Sequence, residues 1–388
     1  MIHPTFSQWN LAHKRVFLRA DLNVPLDNGT IRNDFRLKSI LPTIDFLIKN
    51  NANIVLATHI GRPKNNEAEL STRILLPWFQ QHGYTIRFAS NVTEVTQAII
   101  PQEIILLENL RFFPGEQDNY PVFAQQLAHT ATYYINDAFG IIHENACSIA
   151  TVPFLFPENK RSIGLLMEKE LSILYDIKHN PQHPFIAILG GKKIKDKIPL
   201  INGLLNTADT LLLCPAICFS FLKTLKQPIG KSLVDDTLLA TCKQIMLQAE
   251  KNNIPYIFPA DYYITYDTVN GPLSLVDAAT FPDNAIGIAI GPQTVAQFTT
   301  IINHAKTIFF NCAMGFAESP ETQKSTKQII TAMAQSSART IIAGGDSVDI
   351  ALQTPYHERI SHLSTGGGAT LAYLGNTLLP GLIPFEEQ

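Results

Sequence analysis

The stretch Phe185-Ile186-Ala187-Ile188-Leu189-Gly190-Gly191-Lys192-Lys193-Ile194-Lys195-Asp196-Lys197 joins an apolar run to a glycine turn and a charged segment. The five apolar residues match the length of a strand that is buried on both faces. The two glycines allow a sharp turn, and the lysine-rich segment after them leads into a helix. A strand, a turn and a helix in this order form the repeating unit of an α/β fold with a parallel sheet.

Working outward from this stretch, similar apolar runs alternate with longer amphipathic segments along the whole chain. The alternation predicts an α/β protein with mostly parallel sheets. We expect strands over Arg15–Arg19, Asn53–Thr58, Glu103–Leu107, Thr132–Asn136, Phe185–Leu189, Thr210–Leu213, Tyr256–Phe258, Lys306–Phe310 and Thr340–Ala343, and helices over Leu37–Lys49, Ser71–Gln81, Val122–His129 and Leu165–Ile177.

The length of 388 residues predicts two or three domains. The best boundary lies near Leu165–Pro184, where a mixed-charge helix over Leu165–Ile177 is followed by the polar, proline-bearing segment His179–Pro184. We therefore expect two lobes of similar size joined by one helix, with substrates bound in the cleft between them.

The composition excludes several classes of protein. Hydrophobic residues make up 46% of the chain and the net charge is −3, so neither disorder nor general nucleic-acid binding is expected. No apolar run reaches the length of a membrane span, and the N-terminal residues do not resemble a signal peptide. The five irregularly spaced cysteines fit reduced thiols in the cytoplasm.

Arginines are concentrated in the first half of the chain, where nine of the eleven precede residue 191. Several follow predicted strands, with His or Asn beside them, as a pocket for a small phosphorylated acid would need. Any single arginine is better explained as a surface residue, but the spacing of the set follows the strand ends.

The second half of the chain carries glycine clusters instead. Gly344-Gly345-Asp346-Ser347 follows a predicted strand, and Gly366-Gly367-Gly368 opens a helix. With Gly190-Gly191, Lys193 and Lys197, these turns indicate a polyphosphate site at which Asp346 is a candidate Mg²⁺ ligand. The alternative is that the glycines only make tight turns. A dinucleotide-dependent dehydrogenase is a weaker possibility, because the chain has no G-x-G-x-x-G motif.

An ordered series of motifs then resembles phosphoglycerate kinase along essentially the whole chain. The matching segments are Arg19-Ala20-Asp21-Leu22-Asn23-Val24-Pro25, His59-Ile60-Gly61-Arg62-Pro63, Glu108-Asn109-Leu110-Arg111-Phe112, Asn136-Asp137-Ala138-Phe139-Gly140, Gly190-Gly191-Lys192-Lys193, Asp196-Lys197, Ile290-Gly291-Pro292, Gly344-Gly345-Asp346-Ser347, Ser364-Thr365-Gly366-Gly367-Gly368-Ala369 and Leu379-Pro380-Gly381.

This resemblance implies a fold of two Rossmann-like lobes with parallel sheets, joined by a hinge helix. The expected parts are a phosphoglycerate-binding lobe over residues 1–166, a helix and linker over 167–180, a nucleotide-binding lobe over 181–370, and a tail over 371–388 that returns to the first lobe. It also implies a cytoplasmic, hinge-bending monomer of glycolysis and gluconeogenesis, with small-molecule substrates and neither nucleic acid nor membrane as partner.

The implied reaction is Mg²⁺-dependent phosphoryl transfer between 1,3-bisphosphoglycerate and ADP, which gives 3-phosphoglycerate and ATP. The resemblance assigns catalysis to Arg36, Lys193, Lys197, Gly366 and Gly367, and the metal to Asp346. It assigns phosphoglycerate binding to Asp21, Asn23, Arg36, His59, Arg62 and Arg111, with Glu144 at a further position of that site. The nucleotide residues are Lys193, Lys197, Gly291, Asn311, Glu318, Gly344, Gly345, Asp346 and Ser347.

Three segments depart from the family pattern. Glu144 stands where the family has a phosphoglycerate-binding arginine, which predicts weaker phosphoglycerate binding unless another cation compensates. Cys214-Pro215-Ala216 replaces three glycines beside the adenine, and Phe310–Gly315 also differs, which leaves the nucleotide preference open. These departures support one alternative function, a catalytically attenuated homologue with a binding or moonlighting role.

Overall fold

The computed structural model describes residues 3–27, 29–96, 100–192, 194–266, 268–315 and 319–386. Contacts divide the chain into two compact units. One contains Met1–Ile173 and Leu378–Gln388, and the other contains Leu174–Thr377. These bounds differ from the expected lobes, because the last helix of the chain packs within the second unit and the returning tail starts only at Leu378.

The first unit is built on a six-stranded parallel sheet. Its order is β5-β6-β4-β1-β7-β8, and a separate two-stranded hairpin pairs β2 with β3. In the sheet register Arg19 lies between Ala57 and Asn136, so its neighbours come from two distant parts of the chain. The strands are β1 (Arg15–Ala20), β2 (Leu26–Asp27), β3 (Thr30–Ile31), β4 (Asn53–Ala57), β5 (Ile86–Ala89), β6 (Ile104–Leu107), β7 (Tyr133–Asp137) and β8 (Arg161–Ile163).

Helices of the first unit pack on this sheet through apolar faces. In the first helix Leu37, Ile40, Ile44 and Leu47 are buried, at the spacing of one helical face. The helix expected over Ser71–Gln81 is shorter, because Thr72–Leu75 forms a 3₁₀ turn before it. The helices are α1 (Phe35–Lys49), α2 (Leu76–Gln81), α3 (Val92–Val95), α4 (Pro114–Gln117), α5 (Pro121–Ala128), α6 (Cys147–Ala150) and α7 (Leu165–His179), the last of which continues into the second unit.

The second unit has a six-stranded parallel sheet of order β11-β10-β9-β15-β16-β17. Counted along this sheet alone the order is 3-2-1-4-5-6, the arrangement of Rossmann-type nucleotide-binding sheets. The strands are β9 (Phe185–Leu189), β10 (Thr210–Leu213), β11 (Tyr256–Ile257), β12 (Asp261–Tyr266), β13 (Ser274–Asp277), β14 (Ala285–Ile290), β15 (Thr307–Asn311), β16 (Arg339–Ile342) and β17 (His362–Leu363).

A small antiparallel sheet of order β13-β12-β14 was not expected from the sequence. Its outer strand β13 is largely exposed, so it lacks the apolar run that marked the parallel strands. Strand β12 is long enough, but a register shift between Tyr263 and Ile264 interrupts its pairing with β14. Partly exposed, irregular strands give a weak periodic signal.

Helices of the second unit also pack closely. Gly203 lets α8 and α14 approach, because a Cβ atom at this position would lie 2.0 Å from the carbonyl oxygen of Leu374. The chain up to Thr377 belongs to the second unit. The helices are α8 (Ile194–Leu204), α9 (Ile217–Thr224), α10 (Leu239–Lys251), α11 (Pro292–His304), α12 (Pro320–Gln335), α13 (Gly345–Leu352) and α14 (Gly367–Leu374).

The tail after Leu378 pairs with the first unit. The Gly381 N–H donates to the carbonyl of Ile142 at 2.9 Å, and the side chain of Asn136 donates to the carbonyl of Gly381 at 3.2 Å. The ring of Phe385 stacks on Tyr134. Asn136 is the register partner of Arg19 in β1, so the tail contacts the sheet near the end of β7.

Two further expectations concern membranes and thiols. Across the described ranges, no helix is long and apolar enough to cross a bilayer. All five cysteines are free and buried, as expected for reduced thiols.

Candidate active site

Polar side chains gather at the carboxyl ends of the central strands of the first sheet. Arg19 and Asp21 lie at the end of β1, His59 follows β4, and Arg111 follows β6. Parallel strands end at one edge of a sheet, so residues far apart in sequence meet there. Strand β1 lies between β4 and β7, and the chain extends the sheet in opposite directions on its two sides. Such a switch point is a common ligand site in α/β proteins.

Arg36, in the first turn of α1, is held by the loop that follows β1. Its Nη1 atom lies 2.9 Å from Asp21 Oδ2 and donates to the carbonyl of Asn23 at 3.1 Å. The side-chain oxygen of Asn23 accepts a hydrogen bond from Gly61 N–H at 2.9 Å. Gly61 has a φ of +63°, a conformation that favours glycine. The predicted residues Asp21, Asn23 and Arg36 therefore form one network.

His59 is buried beside this network. Its Nε2 atom lies 3.9 Å from Asp21 Oδ1. Burial holds the pKa of His59 well below its ordinary value, and the nearby positive charges of Arg19 and Arg111 lower it further. The imidazole is therefore neutral at neutral pH, and it can orient a ligand by hydrogen bonding without adding charge.

Arg19 is a further functional candidate, and the sequence did not reveal which residues it contacts. Its guanidinium is fully buried, donates to Ser148 Oγ at 2.7 Å and lies 3.8 Å from Glu116 Oε1. Glu116 in turn accepts hydrogen bonds from the backbone N–H and the hydroxyl of Ser148. Glu116 and Ser148 come from α4 and α6, and no motif in the sequence pointed to either residue.

Arg111 and Glu144 form an ion pair in the same region. Arg111 Nη2 donates to both carboxylate oxygens of Glu144, at 2.7 and 3.0 Å. Arg111 Nη1 donates to the carbonyl of Gly61 at 2.6 Å, which fixes the guanidinium independently of Glu144. Arg62 is exposed and has neither a hydrogen bond nor an ion pair with the residues that the structure describes.

A cavity of about 490 Å³ opens over these groups. It brings the predicted residues Arg62, Arg111 and Glu144 together, whereas Asp21, Asn23, Arg36 and His59 lie beside it. Its walls are rich in charge and amide groups, which suits a small polar acid. The lining residues are Arg19, Arg62, Pro63, Arg111, Glu116, Gln117, Glu144, Asn145 and Ala146.

In the second unit, Lys197 lies at the switch point between β9 and β15. Its Nζ atom donates to the carbonyl of Asn311 at 3.0 Å and also to the Asn311 side-chain oxygen. The Asn311 amide donates onward to the carbonyl of Ala343 at 2.8 Å, at the end of β16. Burial lowers the pKa of Lys197, while the neighbouring Cys312, Cys214 and Asp346 oppose that shift.

Glycines bring the backbone close to Lys197 and Asn311. Gly344 has a φ of +102°, and a Cβ atom there would lie 2.8 Å from the Asn311 amide nitrogen. A Cβ atom on Gly367 would lie 2.8 Å from Gly344 Cα. Only glycine fits both places without a shift, so the starts of α13 and α14 lie side by side. Free N–H groups at two helix starts form a suitable site for anions.

A cavity of about 730 Å³ covers this arrangement. One part of its wall is made of glycine turns and charged groups, and another part is apolar, as a nucleotide needs. Sequence reasoning missed most of the apolar part, because single aliphatic residues carry no motif. The lining residues include Gly190, Gly191, Asp196, Lys197, Asn311, Gly344, Gly345, Asp346, Ser347, Gly367 and Gly368, with Pro215, Ala216, Leu233, Val269, Ile286, Ile288, Cys312, Ala313 and Leu371.

Two described residues predicted for this unit, Gly291 and Gly366, are not in this lining. Gly291 directly precedes α11 and lies against Asp261, whose carboxylate accepts hydrogen bonds from N–H groups of that helix. Gly366 is the buried residue before α14. Lys193 and Glu318 lie outside the described residues. Their roles stay predictions.

Asp346 and Asp196 are the carboxylates that line this cavity in the described part of the chain, and Asp346 is the one predicted to hold a divalent metal ion. Its carboxylate is in the first turn of α13 and lines the cavity beside the glycine turns. Among the described residues, no group of three or more His, Cys, Asp or Glu side chains could hold a metal by itself. The donors present therefore fit an ion such as Mg²⁺, which one carboxylate shares with phosphate oxygens and water.

Comparisons with known proteins agree with this geometry. The family model described as phosphoglycerate kinase matches residues 6–376. The chain is 36% identical to the phosphoglycerate kinase of Leptospira biflexa, with 99% of each chain covered. It is 34% identical to that of Finegoldia magna and 38% identical to that of Solibacter usitatus, each over the full length of both chains.

Solved structures of the same kind have a similar fold. The phosphoglycerate kinase of Coxiella burnetii superposes with a TM-score of 0.83 at 30% identity, over 98% of this chain and 97% of that one. The enzyme of Pyrococcus horikoshii gives 0.84 at 27% identity, over 99% and 98%. From the family match and these full-length relatives, we conclude that this chain belongs to the phosphoglycerate kinase family.

Proposed function

We propose that this member of the family catalyses reversible phosphoryl transfer between 1,3-bisphosphoglycerate and ADP, giving 3-phosphoglycerate and ATP in glycolysis and gluconeogenesis. The observation that carries the proposal is the buried Lys197, which is held by Asn311 at the base of a cavity walled by glycine turns. A lysine and free backbone N–H groups at this place suit the transferred phosphoryl group and the nucleotide phosphates.

The arginine-rich cavity of the first unit is the proposed phosphoglycerate site. Arg62 and Arg111 would contact the acid directly, since both line the cavity. The network of Asp21, Asn23, Arg36 and His59 would bind the remaining polar groups, with Arg36 also acting in catalysis. Support comes from the ion pair of Arg36 with Asp21, which presents a charge already fixed in position.

The cavity of the second unit is the proposed nucleotide site. The base would contact its apolar part, and the phosphates its glycine turns, Lys197 and Ser347. Asp346 would hold Mg²⁺, which when bound neutralises phosphate oxygens. We also propose that Gly291 contacts the nucleotide and that Gly366 and Gly367 act in catalysis. By the family resemblance, Glu318 would bind the nucleotide, and Lys193 would both bind it and act in catalysis.

Catalysis in this proposal depends on positioning and charge. The acceptor in the reverse direction is a carboxylate that is already ionised, so no general base is needed. The transition state spreads negative charge over the transferred phosphoryl oxygens. Lys197 and Arg36 would stabilise that charge, together with the N–H groups at the start of α14.

We also propose that the protein acts in the cytoplasm as a hinge-bending monomer. The free, buried cysteines support a reducing compartment. The helix α7, which passes from one unit to the other, supports bending as the means of bringing the two substrates together. Small molecules, and neither nucleic acid nor membrane, would be its partners.

The attenuated homologue receives no support from these findings. Glu144 suggested this alternative, but Arg111 of the same cavity is also held by the carbonyl of Gly61, so the arginine keeps its place in the site. The other argument was the altered wall formed by Pro215, Ala216 and Cys312, and these side chains still border an open cavity.

A coupled assay of ADP formation tests the proposal. The wild-type protein should form ADP only when both ATP and 3-phosphoglycerate are present, and Lys197→Ala and Arg36→Ala should lose most of this activity. Equal activity in the wild type and both variants, or no dependence on 3-phosphoglycerate, would contradict it.

A further inference from the structure

We infer that Glu144 is a displaceable counter-ion, which occupies Arg111 in the empty phosphoglycerate site and leaves it when the acid binds. The inference rests on the proposed function of this cavity, and it deepens that function by naming how the site admits its ligand. Glu144 would thereby set the affinity of the site for phosphorylated acids.

The charges of the cavity nearly cancel before any ligand enters. Three arginines line it, and two carboxylates face two of them, Glu116 towards Arg19 and Glu144 towards Arg111. One net positive charge remains, on Arg62. A phosphate dianion with a carboxylate brings three negative charges, so binding is strengthened when a protein carboxylate moves away from its arginine.

Exposure decides which carboxylate can move. The Glu116 side chain is 2% exposed, whereas that of Glu144 is 30% exposed. Glu116 also accepts two hydrogen bonds from Ser148, at 2.6 and 3.0 Å. The carboxylate of Glu144 accepts only from Arg111 within the described parts of the chain. Its displacement into water therefore leaves no other buried partner unpaired.

The geometry around Arg111 allows this exchange without disturbing the site. The Nη1 atom of Arg111 stays bonded to the carbonyl of Gly61, so the guanidinium keeps its place when Glu144 leaves. Nη2, which donates to both Glu144 oxygens, becomes available to a phosphate oxygen. The backbone N–H of Glu144 donates to the carbonyl of Ile141, so only its side chain has to turn.

Glu144→Gln and Glu144→Ala test the exchange. Both should lower KM for 3-phosphoglycerate by about tenfold. This change corresponds to one charge-assisted hydrogen bond between the ligand and Arg111 for which Glu144 no longer competes. KM for ATP should stay unchanged. Calorimetry with 3-phosphoglycerate, and separately with inorganic phosphate, should show tighter binding by the variants with no nucleotide present. Their binding should also weaken more steeply with salt than that of the wild type, because the variant cavity carries one more positive charge.

Glu158→Gln is the matched control. Glu158 lies 3.6 Å from Arg161 in the same unit, is 80% exposed, and is outside the cavity. Glu158→Gln should leave both KM values, the ligand affinities and their salt dependence unchanged. An unchanged or higher KM for 3-phosphoglycerate in both Glu144 variants, with thermal melting like that of the wild type, would overturn the inference. If the wild type has no 3-phosphoglycerate-dependent activity, the proposed function is overturned instead. The phosphate titrations distinguish this failure from a failure of the inference about Glu144.

Discussion

Lys197 Nζ donates to the backbone carbonyl of Asn311 at 3.0 Å and to its side-chain oxygen, which joins helix α8 to the end of strand β15. The contact spans the switch point of the second sheet. It holds a buried cation where two helix starts also present N–H groups.

Lys197→Ala should lower kcat by about 100-fold or more, as loss of one preorganised group that stabilises transition-state charge does. The measurement is the steady-state rate of ADP formation with both substrates saturating. Lys195→Ala is the control, since Lys195 is an exposed lysine on the same helix. Similar losses in both variants would show that Lys197 has no special part in the reaction.

Glu116→Gln should destabilise the first unit by about 3–5 kcal/mol, because it removes the carboxylate that compensates the buried Arg19 most strongly. Urea unfolding, followed by the fluorescence of Trp9 and Trp78, measures the change. The double variant Arg19→Met with Glu116→Leu should recover part of the loss, since it removes both charges together. A double variant less stable than the single one would contradict this account of the pair.

Gly190→Ala should destabilise the second unit by about 1–3 kcal/mol through overpacking. A Cβ atom there would lie 2.3 Å from Cys312 Sγ, 2.9 Å from Cys214 Cβ and 2.9 Å from the carbonyl oxygen of Pro215. Adding Cys312→Ala removes the closest of these contacts, so the double variant should regain part of the stability. Thermal melts of the four proteins give the coupling energy, and strict additivity would mean that Cys312 is not the obstacle.

Asp137 should make stability depend on pH. Burial raises its pKa to about 7, although Thr43 Oγ1 and the N–H groups of Leu166 and Met167 donate to it. An unfolded aspartate loses its proton near pH 4, about its ordinary pKa. Between these values the folded chain binds more protons than the unfolded chain. Stability should therefore fall as pH rises through this interval, by up to about 1.4 kcal/mol per pH unit.

Asp137→Asn tests this dependence. The unfolding free energy of the wild type minus that of the variant should fall from pH 5 to pH 7, as the wild type loses the contribution of its protonated carboxyl. The exposed Asp118→Asn serves as control. A difference between wild type and Asp137→Asn that is constant with pH would contradict the raised pKa.

Much of the fold could be predicted from local patterns. The central strands β1, β4, β9 and β15 were all expected, because each contains a run of three to five apolar residues. The sheet of β12, β13 and β14 was not expected, although β14 is itself an apolar segment, because β13 is largely exposed and β12 pairs irregularly with β14. Helix α2 was overestimated in length, because its apolar residues continue a pattern that begins in a 3₁₀ turn.

The site was predicted in part for the same reason. The glycine turns and the arginines at strand ends are visible in the sequence, since each depends on its own short segment. Glu116 and Ser148 could not be predicted from the sequence, because their role depends on contacts with Arg19, which is far from both along the chain. The sequence showed that Glu144 is unusual for the family, but it did not show that Glu144 pairs with Arg111, since 33 residues separate the two.

The sequence by itself therefore determined the class of fold, the family resemblance and the kinds of group at the site, because apolar runs, turns and motifs are local properties. Only the tertiary structure decided which charges pair, which carboxylate is buried and which is exposed, and where Lys197 is held. Those properties depend on packing between strands and helices that are distant in sequence, and the energy of a charge depends on its burial and its nearest partners.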